Sequence, residues 1–416
     1  MLTERLGALG TAAAVLRAVD AGTRRAGLAP PAALIGDWFG SAAVIAPSVA
    51  LLPADPAAVF DVRPGTRTDA VGGGWIGYLS YPDGSGNGNP PRIPEAAGGW
   101  TDCVLRLDRG DCWWYESLSG APVPGWLTGA LAAEAPARPC AIDWAGPDFG
   151  SHRRGILSCL DAIGLGEVYQ ACVCTQFTGT LHGSALDFFA DAVGRTAPAR
   201  AAYLTGDWGA VASLSPELFL RRSGDAITSS PIKGTLPLHA EPADLRESVK
   251  DVAENIMIVD LVRNDLGRIA DVGSVTVPEL LAVRPAPGVW HLVSTVGARV
   301  PAAVSTPAVL AATFPPASVT GTPKARARQL LSQWEPRRRG VYCGTLGLAS
   351  PIAGCELNVA IRTVEFDAHG GVVLGVGGGI TADSDPAAEW QECLHKAAPI
   401  LGPPGAQLSR ARSTAS

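Results

Sequence analysis

Glycine and proline interrupt this chain from end to end, with 49 glycines and 34 prolines among 416 residues. Glycine weakens helix and strand interiors and proline breaks them, so this content predicts many turns between short elements rather than long helices. From Asp37 to Leu118, short apolar runs alternate with these two residues, as in the stretch from Gly72 to Tyr81. That alternation is typical of a meander of strands.

A stretch rich in Ala, Pro and Gly, from Leu118 to Pro147, predicts a boundary between two parts of the chain. We expect residues 1–145 to form a mainly structural N-terminal region and residues 146–402 to form the catalytic domain, because the motifs are dense only there. Residues 403–416 are small and polar, and we predict that this tail is disordered.

The composition excludes several classes of protein. Apolar residues make up 47% and charged residues 17%, which is typical of a globular protein, and the net charge of −6 argues against a general nucleic-acid or membrane-surface binder. Nine cysteines without a CxxC pair favour neither a zinc site nor a disulfide framework. Reduced thiols fit a cytoplasmic location, and no secretion signal or membrane-spanning run is evident.

Secondary structure in the second part is predicted from periodicity and capping residues. Strands are expected at Val168–Phe177 and Ala210–Arg221, and a helix at Leu245–Leu266 that stops at Gly267. Two further helices are expected to begin at a capping residue followed by proline, Thr322 before Pro323 and Asp385 before Pro386.

Two of these helices carry acids at helical spacing. Asp251 and Glu254 share one face, as do Glu389, Glu392 and Lys396 on the last helix. Carboxylates facing each other from two helices would form a hard-oxygen site for Mg2+. The alternative is that both sets are merely solvated charged faces.

A lysine and a glutamate lie next to prolines in the middle of the second part. Lys233 stands between a Pro-Ile pair and a Gly-Thr turn, and Glu217 follows Pro216. Partial burial would make the lysine a nucleophile and let the glutamate keep its proton as a general acid. Without burial, they would be an ordinary turn lysine and a loop acid.

Three further features suggest anion binding. The loop Ser318–Lys324 offers hydroxyls and backbone N–H groups before a helix, although an ordinary capped helix start has the same composition. Gly377, Gly378 and Gly379 follow a strand at Val372–Val376, where they could expose backbone donors or form a turn. Arg362 lies in an apolar strand and needs an anion, either a structural carboxylate or a substrate carboxylate.

Taken together, these stretches resemble the chorismate-utilising enzymes, a family that includes anthranilate, aminodeoxychorismate, isochorismate and salicylate synthases. The resemblance runs from about Gly166 to Leu401, and the matching segments occur in family order: SPELF, PIKGTLP, KDVAENIMIVDLVRNDLGR, HLVSTV, SVTGTPKARA, YCGTLG, IRT, GGGITADSDP and EWQECLHKA. It implies an α/β (α+β) fold, a two-layer sandwich of large antiparallel sheets with flanking helices and the active site in the central cleft.

The resemblance also implies roles for individual residues. Glu254 and Glu392 would be the main Mg2+ ligands, assisted by Asp251 and Glu389, and the metal would bind the ring carboxylate of chorismate. Glu217 would protonate the departing C4 hydroxyl. Substrate contacts would come from a wider set: Thr235, His291, Tyr342, Arg362, Gly377, Gly378, Gly379 and Lys396.

Two positions distinguish the family's members. Gln170 occupies the position where water-using members have a lysine that activates water, so ammonia is favoured as nucleophile. Lys233 occupies the position where anthranilate synthases have alanine, which favours formation of aminodeoxychorismate through a covalent lysine intermediate. One departure is Pro315-Pro316-Ala317, where the family commonly has Pro-Gly-Gly, and it is not expected to touch a catalytic group.

The ammonia source is expected to lie outside this sequence, because no glutaminase motif of the Gly-x-Cys-x-Gly type is present. The resemblance therefore implies a glutamine amidotransferase partner subunit. Two alternatives stay open at this point: an anthranilate synthase component, and a non-catalytic protein that binds chorismate or an aromatic amino acid.

Overall fold

The structure is a computed structural model, and it describes residues 1–83 and 90–402. The predicted tail at 403–416 lies outside the described residues. Two large antiparallel sheets pack face to face, and helices cover their outer sides. The α+β sandwich expected from the family resemblance is confirmed.

Strands and helices alternate irregularly along the described chain. The strands are β1 (Leu2–Gly7), β2 (Ala32–Trp38), β3 (Ser41–Ala46), β4 (Leu52–Pro53), β5 (Gly74–Leu79), β6 (Ala96–Thr101), β7 (Cys103–Leu107), β8 (Trp113–Ser117), β9 (Ala141–Ala145), β10 (Gln170–His182), β11 (Arg200–Gly206), β12 (Gly209–Ser215), β13 (Leu218–Ser223), β14 (Ala226–Ser230), β15 (Ile232–Pro237), β16 (Thr276–Ala286), β17 (Val289–Arg299), β18 (Gly321–Thr322), β19 (Thr345–Ser350), β20 (Gly354–Asn358), β21 (Thr363–Asp367) and β22 (Gly371–Ile380). The helices are α1 (Ala12–Ala26), α2 (Gly125–Leu131), α3 (Phe149–Gly164), α4 (Ala185–Thr196), α5 (Asp244–Glu247), α6 (Val249–Gly267), α7 (Thr306–Thr313), α8 (Lys324–Trp334) and α9 (Pro386–Leu401).

The first sheet has twelve strands in the order β1-β8-β7-β3-β2-β11-β12-β21-β22-β10-β18, with β9 beside β10. The second has ten, in the order β15-β17-β14-β13-β20-β19-β5-β6-β4, with β16 beside β17. Strands from the first 145 residues are hydrogen-bonded into both sheets next to later strands. Strands on the two sides of the predicted boundary near residue 145 are thus hydrogen-bonded to each other in both sheets. The boundary itself stays a prediction.

Apolar side chains from the two inner faces fill the space between the sheets. Leu34 and Trp38 of the first sheet pack with Ile76, Tyr78 and Leu348 of the second, and all five are fully buried. A second cluster joins the outer face of the first sheet to α1, α4 and α9, and a third joins the second sheet to α6 and α7. This layering leaves α6 and α9 as the helices that flank the end of β22.

The predicted strand Ala210–Arg221 is wrong in one informative respect. It is two strands, because β12 belongs to the first sheet and β13 to the second. Proline has no N–H to donate to a ladder, and Pro216 lies where the chain leaves one sheet for the other. Glu217 therefore lies in the crossing between the sheets.

Three other local predictions also need correction. The helix predicted from Leu245 is two helices, because Ser248 caps α6 by accepting from the N–H of Asp251. Thr322 does not cap α8, since Pro323 precedes the helix and Thr322 pairs with Gln170 in the sheet. The three glycines lie inside β22 rather than after it. The Asp385 cap and the proline at the start of α9 are confirmed.

Arg339 joins three elements behind the cleft. Its guanidinium is 1% exposed, bonds both carboxylate oxygens of Glu335, and donates to the carbonyl oxygens of Val319 at 2.8 Å and Cys172 at 2.6 Å. Glu335 in turn accepts from the N–H of Cys174 in β10 at 2.9 Å. This buried ion pair thus connects β10 to the end of α8 and to the turn that contains Val319.

Replacing Arg339 by Met should lower the free energy of unfolding by about 3–5 kcal/mol, because Glu335 would keep its charge in a buried position without its partner. Urea denaturation measures the change. The neighbouring Arg337 is exposed, and Arg337→Met should stay within about 0.5 kcal/mol of the parent. Equal unfolding midpoints for the two variants would contradict this account of the ion pair.

Candidate functional site

Four elements converge where the two sheets approach the end of β22. They are the crossing that contains Glu217, strand β15 with Lys233, and helices α6 and α9 with their acids. The structure brings together residues that lie far apart in the sequence, and most of their polar groups are buried.

Glu217 is 3% exposed. Its Oε1 accepts a hydrogen bond from the hydroxyl of Ser318 at 2.7 Å, and its backbone N–H donates to Ser215. Burial raises the pKa of the Glu217 carboxyl to about 7, although Ser318, Lys233 and Arg362 favour the ionised form. A carboxyl with this pKa can hold a proton at neutral pH and give it up, as a general acid must.

The amine of Lys233 reaches the same cleft from β15. Its Nζ lies 3.4 Å from Oε2 of Glu254, and only 14% of its side chain is exposed. A Cβ added at Gly379 would lie 3.0 Å from this Nζ, 3.4 Å from Oε2 of Glu254 and 3.5 Å from Oε1 of Gln170. The three polar groups therefore surround one point above a glycine. Lys233 is not a solvated turn lysine.

Lysines also pair with the carboxylates of α9. Lys250 lies on α6 and bridges the two helices, with its Nζ 3.2 Å from Glu389 and 4.0 Å from Glu254. Lys396 lies 2.6 Å from Glu392 and donates to the carbonyl of Gly377 at 2.9 Å. Burial raises the pKa of Glu392, but Lys396, Lys250 and Lys233 together outweigh burial and hold that pKa below its usual range.

The four acids expected at a metal site divide into two groups. Glu254 and Glu389 are 6% and 3% exposed, so they do not form solvated faces, and Glu392 adds a third carboxylate nearby. Asp251 is only partly buried, and a Cβ added at Gly234 would lie 3.1 Å from its Cγ. Their donor set consists only of carboxylate oxygens, which suits Mg2+. Within residues 1–83 and 90–402, however, no three His, Cys, Asp or Glu side chains are grouped tightly enough to hold a metal.

The three glycines let these groups approach β22 from both faces. A Cβ added at Gly378 would lie 2.8 Å from Oε2 of Glu389, whereas one at Gly379 would face Lys233 and Glu254. Successive residues of a strand point to opposite faces. Without side chains at residues 378 and 379, the carboxylates of α9 and the amine of β15 both reach the end of β22, where Lys250 contacts Glu254 and Glu389 together.

Thr235 and His291 form a pair across β15 and β17. Thr235 Oγ1 lies 2.9 Å from Nδ1 of His291, whose Nε2 is buried and has no hydrogen-bond partner among the described residues. Burial and the nearby charge of Arg362 lower the pKa of His291 to about 4. The imidazole is therefore neutral at physiological pH and has one ring nitrogen available to a ligand.

Arg362 lies just before β21 with a φ of 52°. Its guanidinium forms no ion pair with any residue in the described ranges, and burial lowers its pKa. A partly buried cation without an ion-pair partner favours an anionic ligand. Tyr342 is 6% exposed, and its ring packs so closely under Gly375 that an added Cβ would lie 2.3 Å from Tyr342 Cγ.

The loop Ser318–Lys324 does not form the open anion site that its composition suggested. Lys324 is bonded to Asp265 and to the carbonyl of Thr313, and Thr320 donates to the carbonyl of Pro316. The side chain of Ser318 reaches Glu217, and the backbone of Thr322 pairs with Gln170. Pro316 and Ala317 directly precede this contact and line one cavity with Glu217, and the expectation that the departure touches no catalytic group stays a prediction.

Sequence reasoning missed Ser318 as the partner of Glu217 and Lys250 as the bridge between the helices. A usable signal was present, since this chain has only four lysines: Lys233, Lys250, Lys324 and Lys396. Each of them pairs with a carboxylate in or beside the cleft. The rarity of lysine outside these motifs indicates that their ammonium groups are not ordinary surface charges.

The neutral state of His291 can be measured by NMR. Its imidazole should titrate near pH 4, and the free energy of unfolding should fall as pH drops from about 6.5 to about 4, because over that range only the unfolded chain takes up this proton. His291→Gln should remove this part of the pH dependence. An imidazole that titrates near pH 6.5 would show that His291 is solvated.

Comparisons with known proteins agree with this geometry. The family model of chorismate binding enzymes matches residues 55–402. Aminodeoxychorismate synthase component 1 of Klebsiella aerogenes is 43% identical over 262 residues, which cover 61% of this chain and 57% of that protein. Anthranilate synthase component 1 of Streptomyces coelicolor is 31% identical over 374 residues, which cover 79% of this chain and 72% of that protein.

Among solved structures, anthranilate synthase component I from Streptococcus pneumoniae matches with a TM-score of 0.72 and 24% identity, over 90% of this chain and 91% of that one. That likeness concerns the fold.

The chain spans little more than half the length of the curated aminodeoxychorismate synthase components it matches. No described helix is both long and apolar enough to cross a membrane. With its family match over most of the chain, this protein belongs to the chorismate binding enzymes.

Proposed function

We propose that this chain replaces the C4 hydroxyl of chorismate with ammonia and forms 4-amino-4-deoxychorismate, with the enolpyruvyl side chain retained. The observation that carries the proposal is a lysine amine and a protonatable glutamate in one buried cleft, Lys233 and Glu217. The relatives named aminodeoxychorismate synthase component 1, with identities of 41–43%, support the same reaction.

The reaction follows from the roles of these two groups. Lys233 attacks C2 of the ring as the free amine, the two conjugated ring double bonds shift, and the C4–O bond breaks. Glu217 gives its proton to the departing hydroxyl, which leaves as water. Ammonia then adds at C4 while the bond between C2 and the lysine nitrogen breaks, and its electron pair returns to that nitrogen, which leaves Lys233 as a neutral amine. The proton lost by the incoming nitrogen returns to Glu217.

The remaining site residues bind and orient. Arg362 and Tyr342 hold the enolpyruvyl carboxylate, and the Arg362 guanidinium has no ion-pair partner among the described residues. Thr235 fixes the His291 ring, which leaves the free Nε2 for the substrate. Gln170 is 2% exposed, and its Oε1 has no partner among the described residues. As a neutral acceptor it can hold ammonia without favouring ammonium.

We further propose that Glu254 and Glu392, assisted by Glu389 and Asp251, hold Mg2+. Bound there, the ion would neutralise the ring carboxylate of chorismate and fix its position. The carboxylate donor set suits this ion. Glu254 and Glu389 already lie close enough for Lys250 to contact both.

Ammonia is proposed to come from a glutamine amidotransferase subunit, since the relatives are named as first components of their enzymes. Glutamine should support turnover only when that subunit is added, whereas ammonium salts should suffice for this chain alone. A second candidate is anthranilate formation, which the coverage of the Streptomyces coelicolor relative favours. Release of pyruvate with an anthranilate product would identify that reaction.

Lys233→Ala should reduce the formation of aminodeoxychorismate by on the order of 10³-fold, since a nucleophile is lost. Product mass after incubation with chorismate, ammonium and Mg2+ measures this effect. Lys233→Arg is the matched control for charge, because it keeps a cation beside Glu254 and still lacks the nucleophile. Both variants should bind chorismate nearly as the parent does, and substantial turnover by either would contradict a covalent lysine.

Glu392→Gln and Glu254→Gln should each weaken Mg2+ binding by about 10-fold or more, because a charged oxygen ligand is replaced by a neutral one. Calorimetric titration of the metal, with and without chorismate, measures this directly. Glu247→Gln changes an exposed acid on α5 and serves as the control. Mg2+ affinities that are the same in all three variants would place the metal elsewhere.

A further inference from the structure

The hydroxyl of Ser318 contacts the buried carboxyl of Glu217. Ser318 Oγ donates to Oε1 of Glu217 at 2.7 Å, and the carboxyl is 3% exposed. Ser318 is the middle residue of a single 3-10 turn, Ala317–Val319, which lies between α7 and β18. A serine in the middle of such a turn has few rotamers that reach across to another element, so the backbone of the turn decides this contact.

The turn is fastened on both sides of Ser318. Before it, the carbonyl of Pro316 accepts from Thr320 Oγ1 at 2.9 Å. After it, the carbonyl of Val319 accepts from the buried guanidinium of Arg339 at 2.8 Å. Pro316 itself has a fixed φ, which removes a degree of freedom at the start of the turn. Ser318 is therefore held in place without any contribution from Glu217.

We infer that Ser318 is a positioning residue for the general acid, which fixes the acidic proton on Oε2 of Glu217 by occupying Oε1 with a donated hydrogen bond. This inference rests on the proposed function, in which Glu217 protonates the leaving hydroxyl. A protonated carboxyl has one O–H and one carbonyl oxygen, and a hydroxyl donor pairs with the carbonyl oxygen. The proton is then on the oxygen that Ser318 leaves free.

Other groups around Glu217 also influence the pKa of its carboxyl. A small cavity of about 20 Å3 lies against the carboxyl and is lined mainly by apolar groups, including those of Leu218, Val262 and Leu266. Asp265 lines its wall, while Lys233 and Arg362 act on Glu217 through their positive charges. The apolar wall favours the neutral acid, and both cations and the Ser318 hydroxyl favour the carboxylate. Removing the hydroxyl therefore makes the acid hold its proton more tightly.

The test compares Ser318→Ala with Ser318→Thr, which keeps a hydroxyl. In S318A the alkaline limb of the kcat/KM profile should move up by about one pH unit, because a hydrogen bond to the ionised form is lost. Its kcat should fall about 5-fold while the KM for chorismate stays unchanged. In S318T both quantities should return toward those of the parent. The profile of the parent should bend near pH 7.

A second readout does not need turnover. The 13C carboxyl signal of Glu217, assigned by its loss in Glu217→Gln, should titrate about one unit higher in S318A than in the parent. An unchanged titration, or a Thr variant as impaired as the Ala variant, would overturn the inference even if the enzyme aminates chorismate. A parent protein that gives no aminated product would instead overturn the proposed function, and the 13C titration would still decide the role of Ser318.

Discussion

The cleft depends on lysine amines that pair with carboxylates buried on the two helices flanking the end of β22. An unpaired carboxylate in such a position would take up a proton or open the fold, since desolvating a charge costs several kcal/mol. Lys233 and Lys250 both contact Glu254, which lies on α6, and Lys250 also contacts Glu389 on α9. These ion pairs connect β15, α6 and α9, so charge compensation and the relative placement of the three elements have the same origin.

The glycines of β22 make this arrangement sterically possible. A side chain at Gly379 would enter the space between Lys233 and Glu254, and one at Gly378 would meet Glu389. Glycine in a central strand sacrifices packing and conformational entropy. The pairing of β22 with β10 over its whole length compensates for this loss. Gly375 serves a different contact in the same strand, since its missing side chain leaves room for the ring of Tyr342.

How far the sequence predicted the site depended on whether the signal was local. The cap at Asp385 was predicted because the capping hydrogen bond and the following proline involve neighbouring residues. The family resemblance supplied the sandwich and the acids. Local patterns failed where tertiary contacts determine the secondary structure. Thr322 was predicted to cap a helix but pairs with Gln170 in a strand, and the three glycines were predicted to follow a strand but pair with β10 inside it. Lys250 was missed because its partner Glu389 is 139 residues away.

The turn at residues 315–319 shows why a departure from a family pattern has to be judged in three dimensions. Compared with glycines, Pro316 and Ala317 restrict the backbone, which at the sequence level is only a loss of freedom beside an anion loop. In the structure the same restriction fixes the serine that follows, and that serine donates to the buried acid. A flexible turn would have to lose conformational entropy each time the hydroxyl met the carboxyl. The stiff turn has lost that entropy on folding, so the contact with Glu217 is already formed before any ligand binds.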